Sequence, residues 1–185
     1  MPGLREDELT VSDIILVDLF DREIGFCSKE YAHAEGKLHR AFSVFLFGKR
    51  GLLLQRRAEG KYHSGGLWAN TCCSHPRAGE STSQAAQRRL TEETSIICQI
   101  SERFSFVYYQ PFANNLYEYE LDHVYLGYYD GDADFDTAEI AEMRWITPEA
   151  LQQELLDTPW LFASWFLIAA PRILKLLDQE PPEFV

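Results

Sequence analysis

The stretch NTCCSHPRAGES, Asn70 to Ser81, sets two adjacent cysteines just ahead of a histidine and at the start of a turn. In an extended segment alternate side chains share a face, so Cys73 and His75 point one way and Cys72 the other. That pattern makes Cys73 the thiol available for chemistry beside an imidazole and Cys72 a packing residue. A second constellation is LYEYELDHVYL, where the same alternation puts Glu118, Glu120 and Asp122 on one face over about 14 Å of strand. Such crowding costs free energy unless the carboxylates sit in water, take up a proton or surround a cation. A solvated outer face, a protonated carboxyl and a cation site are the readings this leaves.

Histidines supply the missing partners. His33 and His39 flank HAEGKLH, ahead of an apolar run from Ala41 to Phe47, and His75 follows the thiols. Imidazoles combined with carboxylates suit zinc, manganese or iron, because these borderline ions accept both nitrogen and oxygen. None of these histidines has a helical i,i+4 ligand spacing, so the fold must bring them together.

These residues need strands and helices to position them. Strand candidates, rich in β-branched and aromatic residues and bounded by Gly, Asn or Asp, are 14–20, 41–47, 52–56, 68–73, 103–110, 116–129 and 143–146, with a hairpin turn in FGKRGLLL. A helix is predicted over Ser81 to Thr94, opened by a capping box of Ser81 and Gln84. Another begins at TPEALQQELL, with Thr147 as cap and Pro148 in the first turn, and a last one runs from Ala163 to Leu177 with a kink or break at Pro171. The first ten or so residues and QEPPEFV are loose by composition. The sum is a strand-rich α/β (α+β) fold in one domain spanning residues 1–185.

Composition narrows the partners. With 17 Lys and Arg against 29 Asp and Glu, the net charge of −12 argues against nucleic acid and anionic membranes as partners. An anionic ligand must then be met by a local cluster of bases. The longest apolar run, WLFASWFLIAA, is far below the roughly 20 residues a bilayer crossing needs, and reads as a buried helix. Four cysteines without a C-x-x-C pair, and no apolar signal stretch, read as reduced thiols in a cytoplasmic protein.

Ser74, Glu80, Arg88, Arg89, Glu92, Glu93 and Ser95 are spaced as in the Nudix box, G-x5-E-x7-R-E-U-x-E-E-x-G-U, a loop and helix that hold magnesium and diphosphate. Ser74 and Ser95 replace its glycines, and Arg89 replaces its glutamate after the arginine. Losing that glutamate removes part of the carboxylate array that a Nudix hydrolase uses, which weighs against hydrolysis.

Over nearly the whole chain, KLHRAFSVFLF, LLLQRRAEGKY, WANTCCSHP, GES…RRLTEE, YEYELDHVY and TPWLFASWF resemble, in order and spacing, the type I isopentenyl-diphosphate Δ-isomerases, which have a degenerate Nudix fold of mixed sheets packed between a few helices. The resemblance implies interconversion of isopentenyl and dimethylallyl diphosphate, a small isoprenoid diphosphate as the partner, and a monomer or weak dimer. It implies Cys73, Glu120, Tyr108 and Trp165 as catalytic residues, and His33, His39, His75, Glu118 and Glu120 as ligands of one tightly bound divalent metal (manganese, zinc or magnesium). By the same resemblance Glu93 helps hold one Mg2+ with the diphosphate, and Lys29, Arg57, Lys61 and Arg89 surround that diphosphate. His33 and His39 are six apart, against seven in some family members. The reaction needs a proton added at C4 and another removed from C2, from opposite faces of the olefin. Trp160 and Phe166, without a matched role, read as core. A pyrophosphohydrolase and a silent metal-binding module are the competing functions.

Overall fold

A computed structural model describes residues 13–61 and 63–179. The N-terminal stretch read as loose lies outside them, as does residues 180–185 of the C-terminal one. In chain order the elements are β1 (Ile14–Val17), β2 (Glu23–Cys27), α1 (Lys29–Glu35), β3 (His39–Gly48), β4 (Gly51–Arg57), β5 (Trp68–Ala69), β6 (Cys72–Ser74), α2 (Thr82–Thr94), β7 (Ile100–Phe112), β8 (Leu116–Tyr128), β9 (Ile140–Ile146), α3 (Pro148–Asp157) and α4 (Ser164–Gln179). None of the described helices is long and apolar enough to cross a membrane.

Strand β3 organises the sheet. It pairs antiparallel with β1, β4 and β6 and parallel with β8, which in turn pairs antiparallel with β7. Each face of β3 therefore serves a different core. Phe42, Val44 and Leu46 pack with Cys72 and with Ala85, Ala86 and Leu90 of α2. From the other face, Phe45 joins Val124 of β8, Tyr108 of β7, and Trp165, Phe166, Ala169 and Ile173 of α4. Phe166 is fully buried here, as expected, and truncating such a residue costs roughly 3–5 kcal/mol.

The hairpin in FGKRGLLL is present: Gly48 pairs with Gly51 and β4 follows at once. At Gly51, φ is +105° and an added Cβ would meet the Ile146 carbonyl, so a side chain is excluded there. Helix α2 begins where the capping box places it, with both reciprocal bonds between Ser81 and Gln84. It ends at Ser95 in a left-handed conformation, φ 56°, the geometry for which the Nudix box carries glycine.

Several expectations change. Strand 68–73 is split into β5 and β6, because Asn70 and Thr71 spend their side chains on backbone groups: Asn70 Nδ2 donates to the carbonyls of Val44 and Cys72, and Thr71 Oγ1 donates to that of Leu53. The last helix runs unbroken through Pro171, with Ala169, Ala170 and Ile173 buried on the core; packing overrides the lost backbone hydrogen bond. Trp160 is 69% exposed, so it is not core. The face of Glu118, Glu120 and Asp122 is buried, with exposures of 2%, 6% and 1%, which removes the solvated-face reading. Two elements lay outside the expected set, β2 and α1. The latter is capped by Ser28, whose side chain accepts from the Tyr31 amide, and is closed by Gly36 at φ 59°.

Candidate active site

The buried carboxylate face meets the histidines because of β-sheet register. His39 of β3, Glu120 of β8 and Tyr108 of β7 are cross-strand neighbours in one row. His33 is brought over the row by α1, and His75 by the residue after β6. One ligand atom from each of His33, His39, His75 and Glu120 lies within 4.8 Å of all the others. His75 Nε2 is 2.9 Å and His39 Nε2 3.4 Å from Glu120 Oε1. His39 Nδ1 lies 2.8 Å from the Lys37 carbonyl, a contact that fixes the ring and directs Nε2 to the cluster.

The electrostatics match a cation site. Burial first, then the neighbouring imidazoles, pushes His33 down to about 2. Burial likewise holds His75 down to about 4, against the pull of Glu120. Both rings are therefore neutral at pH 7, the form in which an imidazole ligates a metal. Burial acts to raise Glu120, but its hydrogen bonds with His39 and His75 outweigh this and hold it well below the usual carboxylate range. Glu118 is outside the four-group cluster and is driven well above that range by burial and by Glu120. Three imidazoles and a carboxylate form a donor set that suits a divalent transition ion.

Beside this cluster is a cavity of about 230 Å³. Lys29, Arg57, Lys61 and Arg89, the four bases singled out in the sequence, all line it, as do Cys73, His75, Glu118, Glu120 and Trp165. These bases are individually placed: Arg57 ends β4, Lys29 opens α1, Arg89 projects from α2, and Lys61 lies in the loop between β4 and β5. Burial, with Lys61 and Arg57 nearby, lowers Lys29 below the usual lysine value. Arg89 donates to Glu93 Oε1 at 3.0 Å through Nε and lies 3.3 Å from Glu139 Oε1. Lys61 also pairs with Glu139. Glu93 is buried, and burial raises its carboxyl against the effect of Arg89. Of this helix pair, Arg89 lines the cavity and Glu93 is buried against it.

Cys73 is opposite Ser43 in the pairing of β6 with β3, whereas Glu120 is opposite His39. Thiol and carboxylate therefore rise from one sheet face, four residues apart along β3, with the small side chain of Ala41 between them on the cavity floor. Arg57 Nη1 lies 3.3 Å from Cys73 Sγ. Burial, outweighing Arg57, pushes the thiol up to about 12. Cys72, on the reverse face, is fully buried against α2. The Tyr108 hydroxyl donates to Glu120 Oε2 at 2.6 Å, and burial together with that carboxylate keeps it protonated. Trp165 is anchored by its indole N–H, which donates to Asn70 Oδ1 at 3.0 Å, and the Arg57 guanidinium lies 5.2 Å from the ring centre.

The NUDIX domain family matches residues 37–166, a span that runs from just before β3 into the start of α4 and takes in α2 and all the named cavity residues except Lys29. In three dimensions the chain resembles a Deinococcus radiodurans crystal structure with a TM-score of 0.72 and 20% identity, covering 86% of this chain and 98% of that one, a likeness of fold. Among curated relatives, the isopentenyl-diphosphate Delta-isomerase of Burkholderia multivorans is 49% identical over 154 residues, 83% of this chain and 88% of the relative. Isopentenyl-diphosphate Delta-isomerase 2 of Aromatoleum aromaticum is 44% identical over 163 residues, 88% and 86% of the two chains. The chain belongs to the isopentenyl-diphosphate Delta-isomerase family, built on a NUDIX domain.

Three residues of the site escaped sequence reasoning. His63 stands 3.1 Å from Glu118, Glu139 bridges Lys61 and Arg89, and Asn70 holds Trp165. Asn70 was within reach, since it begins the NTCCSHP stretch. His63 and Glu139 are in loops whose course no periodicity reveals.

Proposed function

We propose that this protein interconverts isopentenyl and dimethylallyl diphosphate. The observation that carries this reading is one cavity lined by Cys73 and Glu120 together with four bases, inside an acidic chain. Lys29, Arg57, Lys61 and Arg89 take the diphosphate, concentrating positive charge where the net charge of −12 would otherwise repel it. The five-carbon chain then lies over Ala41, between the thiol and the carboxylate.

Isomerisation adds a proton to C4, leaves a tertiary cation at C3, and removes a proton from C2. The pair Glu120–Tyr108 carries one of these protons and Cys73 the other. In the reverse direction the two exchange roles, as microscopic reversibility demands. Between the two transfers the Trp165 indole face stabilises the positive charge, at about 1–2 kcal/mol when water is excluded, without offering a nucleophile that would trap it.

His33, His39, His75 and Glu120, with Glu118 as the fifth ligand, would hold one divalent metal (manganese, zinc or magnesium), which when bound supplies positive charge that orients Glu120 and sets its acidity. Glu93 would help hold one Mg2+ with the diphosphate. Free thiols at all four cysteines suit the reducing cytoplasm. Hydrolysis is disfavoured by Arg89, which replaces a carboxylate of the Nudix box and is already engaged by Glu93 and Glu139.

Incubation with isopentenyl diphosphate in deuterated water, followed by NMR, tests this. Deuterium in a methyl group of dimethylallyl diphosphate is expected. Released phosphate would establish a hydrolase instead, and an unchanged substrate a silent module.

A further inference from the structure

We infer that Glu139 is a specificity-determining residue of the diphosphate pocket, admitting the anion together with a magnesium ion and opposing the bare anion. The inference rests on the reading of Lys29, Arg57, Lys61 and Arg89 as that pocket. Among the described residues three carboxylates line the cavity: Glu118 and Glu120 belong to the histidine face, and Glu139 stands among the bases. Lys61 Nζ donates to Glu139 Oε2, and Arg89 Nη2 lies 3.3 Å from Glu139 Oε1. Arg89 is also met by Glu92 at 3.0 Å and by Glu93. Arg57, by contrast, donates to the Cys73 sulfur and to the His63 carbonyl. Two of the four bases are therefore already engaged by carboxylates before an anion arrives, and Glu139 is the group they share.

The backbone fixes this carboxylate relative to both bases. The turn 136–139, just before β9, is tied at one end to α2, where the Asp136 amide donates to the Glu93 carbonyl at 2.9 Å. At its other end the Glu139 carbonyl accepts from the Ala58 amide at 3.0 Å, just past β4. Those elements carry Arg89 and lead to Lys61. A bare diphosphate that reaches these two bases meets a negative charge already seated on them. Like charges at that range, in a pocket of reduced dielectric, cost the bare anion about tenfold or more in affinity. Magnesium reverses the sign, because it is held by one or two carboxylates together with substrate phosphates. Burial and the charge of Glu139 raise the Glu93 carboxyl against the effect of Arg89. A cation shared by the two acids relieves that repulsion.

The test is calorimetric titration with inorganic pyrophosphate, with and without added magnesium, on wild type and on variants whose folding is confirmed by circular dichroism. Wild type should bind pyrophosphate more tightly with magnesium. Glu139→Gln keeps the shape and loses the charge. Its affinity for magnesium-free pyrophosphate should rise about tenfold, and the gain from magnesium should shrink by about tenfold or more. Glu139→Asp, which keeps the charge, should retain the wild-type gain. If Glu139→Gln does not fold, Glu139→Ala is read by the same comparison. An equal gain from magnesium in wild type and the uncharged variant, or no gain in wild type, overturns the inference and leaves the pocket standing. So does an uncharged variant weakened alike with and without the cation, which would make Glu139 only a brace for Lys61 and Arg89. A wild type that binds pyrophosphate in neither condition overturns the pocket as well.

Discussion

Tyr108 and Glu120 face one another across the β7–β8 pairing, with the phenol hydroxyl donating to Oε2 at 2.6 Å while Oε1 meets His75 at 2.9 Å. One carboxylate thus touches both a protonated phenol and the histidine cluster. Its two oxygens have different duties, and strand register assigns them.

Tyr108→Phe removes that hydroxyl and little else. Because a positioned proton-transfer partner contributes about 10²–10⁴-fold, kcat for isomerisation should fall by at least about 10²-fold. The fold, read by circular dichroism, should be retained. An unchanged kcat would remove Tyr108 from the proton path.

The cysteine pair separates chemistry from packing. Cys73→Ala should abolish turnover while leaving the protein folded. Cys72→Ala should retain kcat and lose about 1 kcal/mol in urea unfolding, since its thiol is fully buried against α2. A fully active Cys73→Ala variant would defeat the assignment.

Glu80 and Arg88 tie the loop after β6 to α2, with Arg88 Nε and Nη2 donating to the two carboxylate oxygens at 2.7 and 2.8 Å. Hydrogen bonding from Arg88 lowers the Glu80 carboxyl below its ordinary 4.5. The unfolded chain then takes up this proton first as pH falls, so the stability is present above 4.5 and drains away below it. Glu80→Gln should therefore melt below wild type at neutral pH, and the gap should close as pH drops through the carboxylate range. A gap that stays constant with pH would show that the ion pair is not its origin.

Much of the site was legible in the sequence, for local reasons. Alternation along a strand separated Cys73 from Cys72 and put Glu118, Glu120 and Asp122 on one face, because side-chain direction in a strand follows from backbone geometry alone. The capping box located the start of α2 to the residue, and Thr147 with Pro148 did the same for α3. Where local rules misled, distant groups had intervened. Asn70 and Thr71 interrupt a strand to serve β3, β4 and α4, and α4 runs through Pro171 because its buried face is held by the core.

What residue order determined by itself was the chemistry available: a thiol next to an imidazole, a strand face of carboxylates, and a Nudix-like helix carrying arginine where a glutamate is customary. Tertiary structure decided which of these groups share a space. Only the register of β3 with β8 and β8 with β7 puts His39, Glu120 and Tyr108 in one row, and only the loop after β4 brings His63 to Glu118. Contacts of that kind join residues up to 81 positions apart, and neither residue of such a pair carries a local trace of its partner, because what holds them together is burial and pairing of the whole sheet.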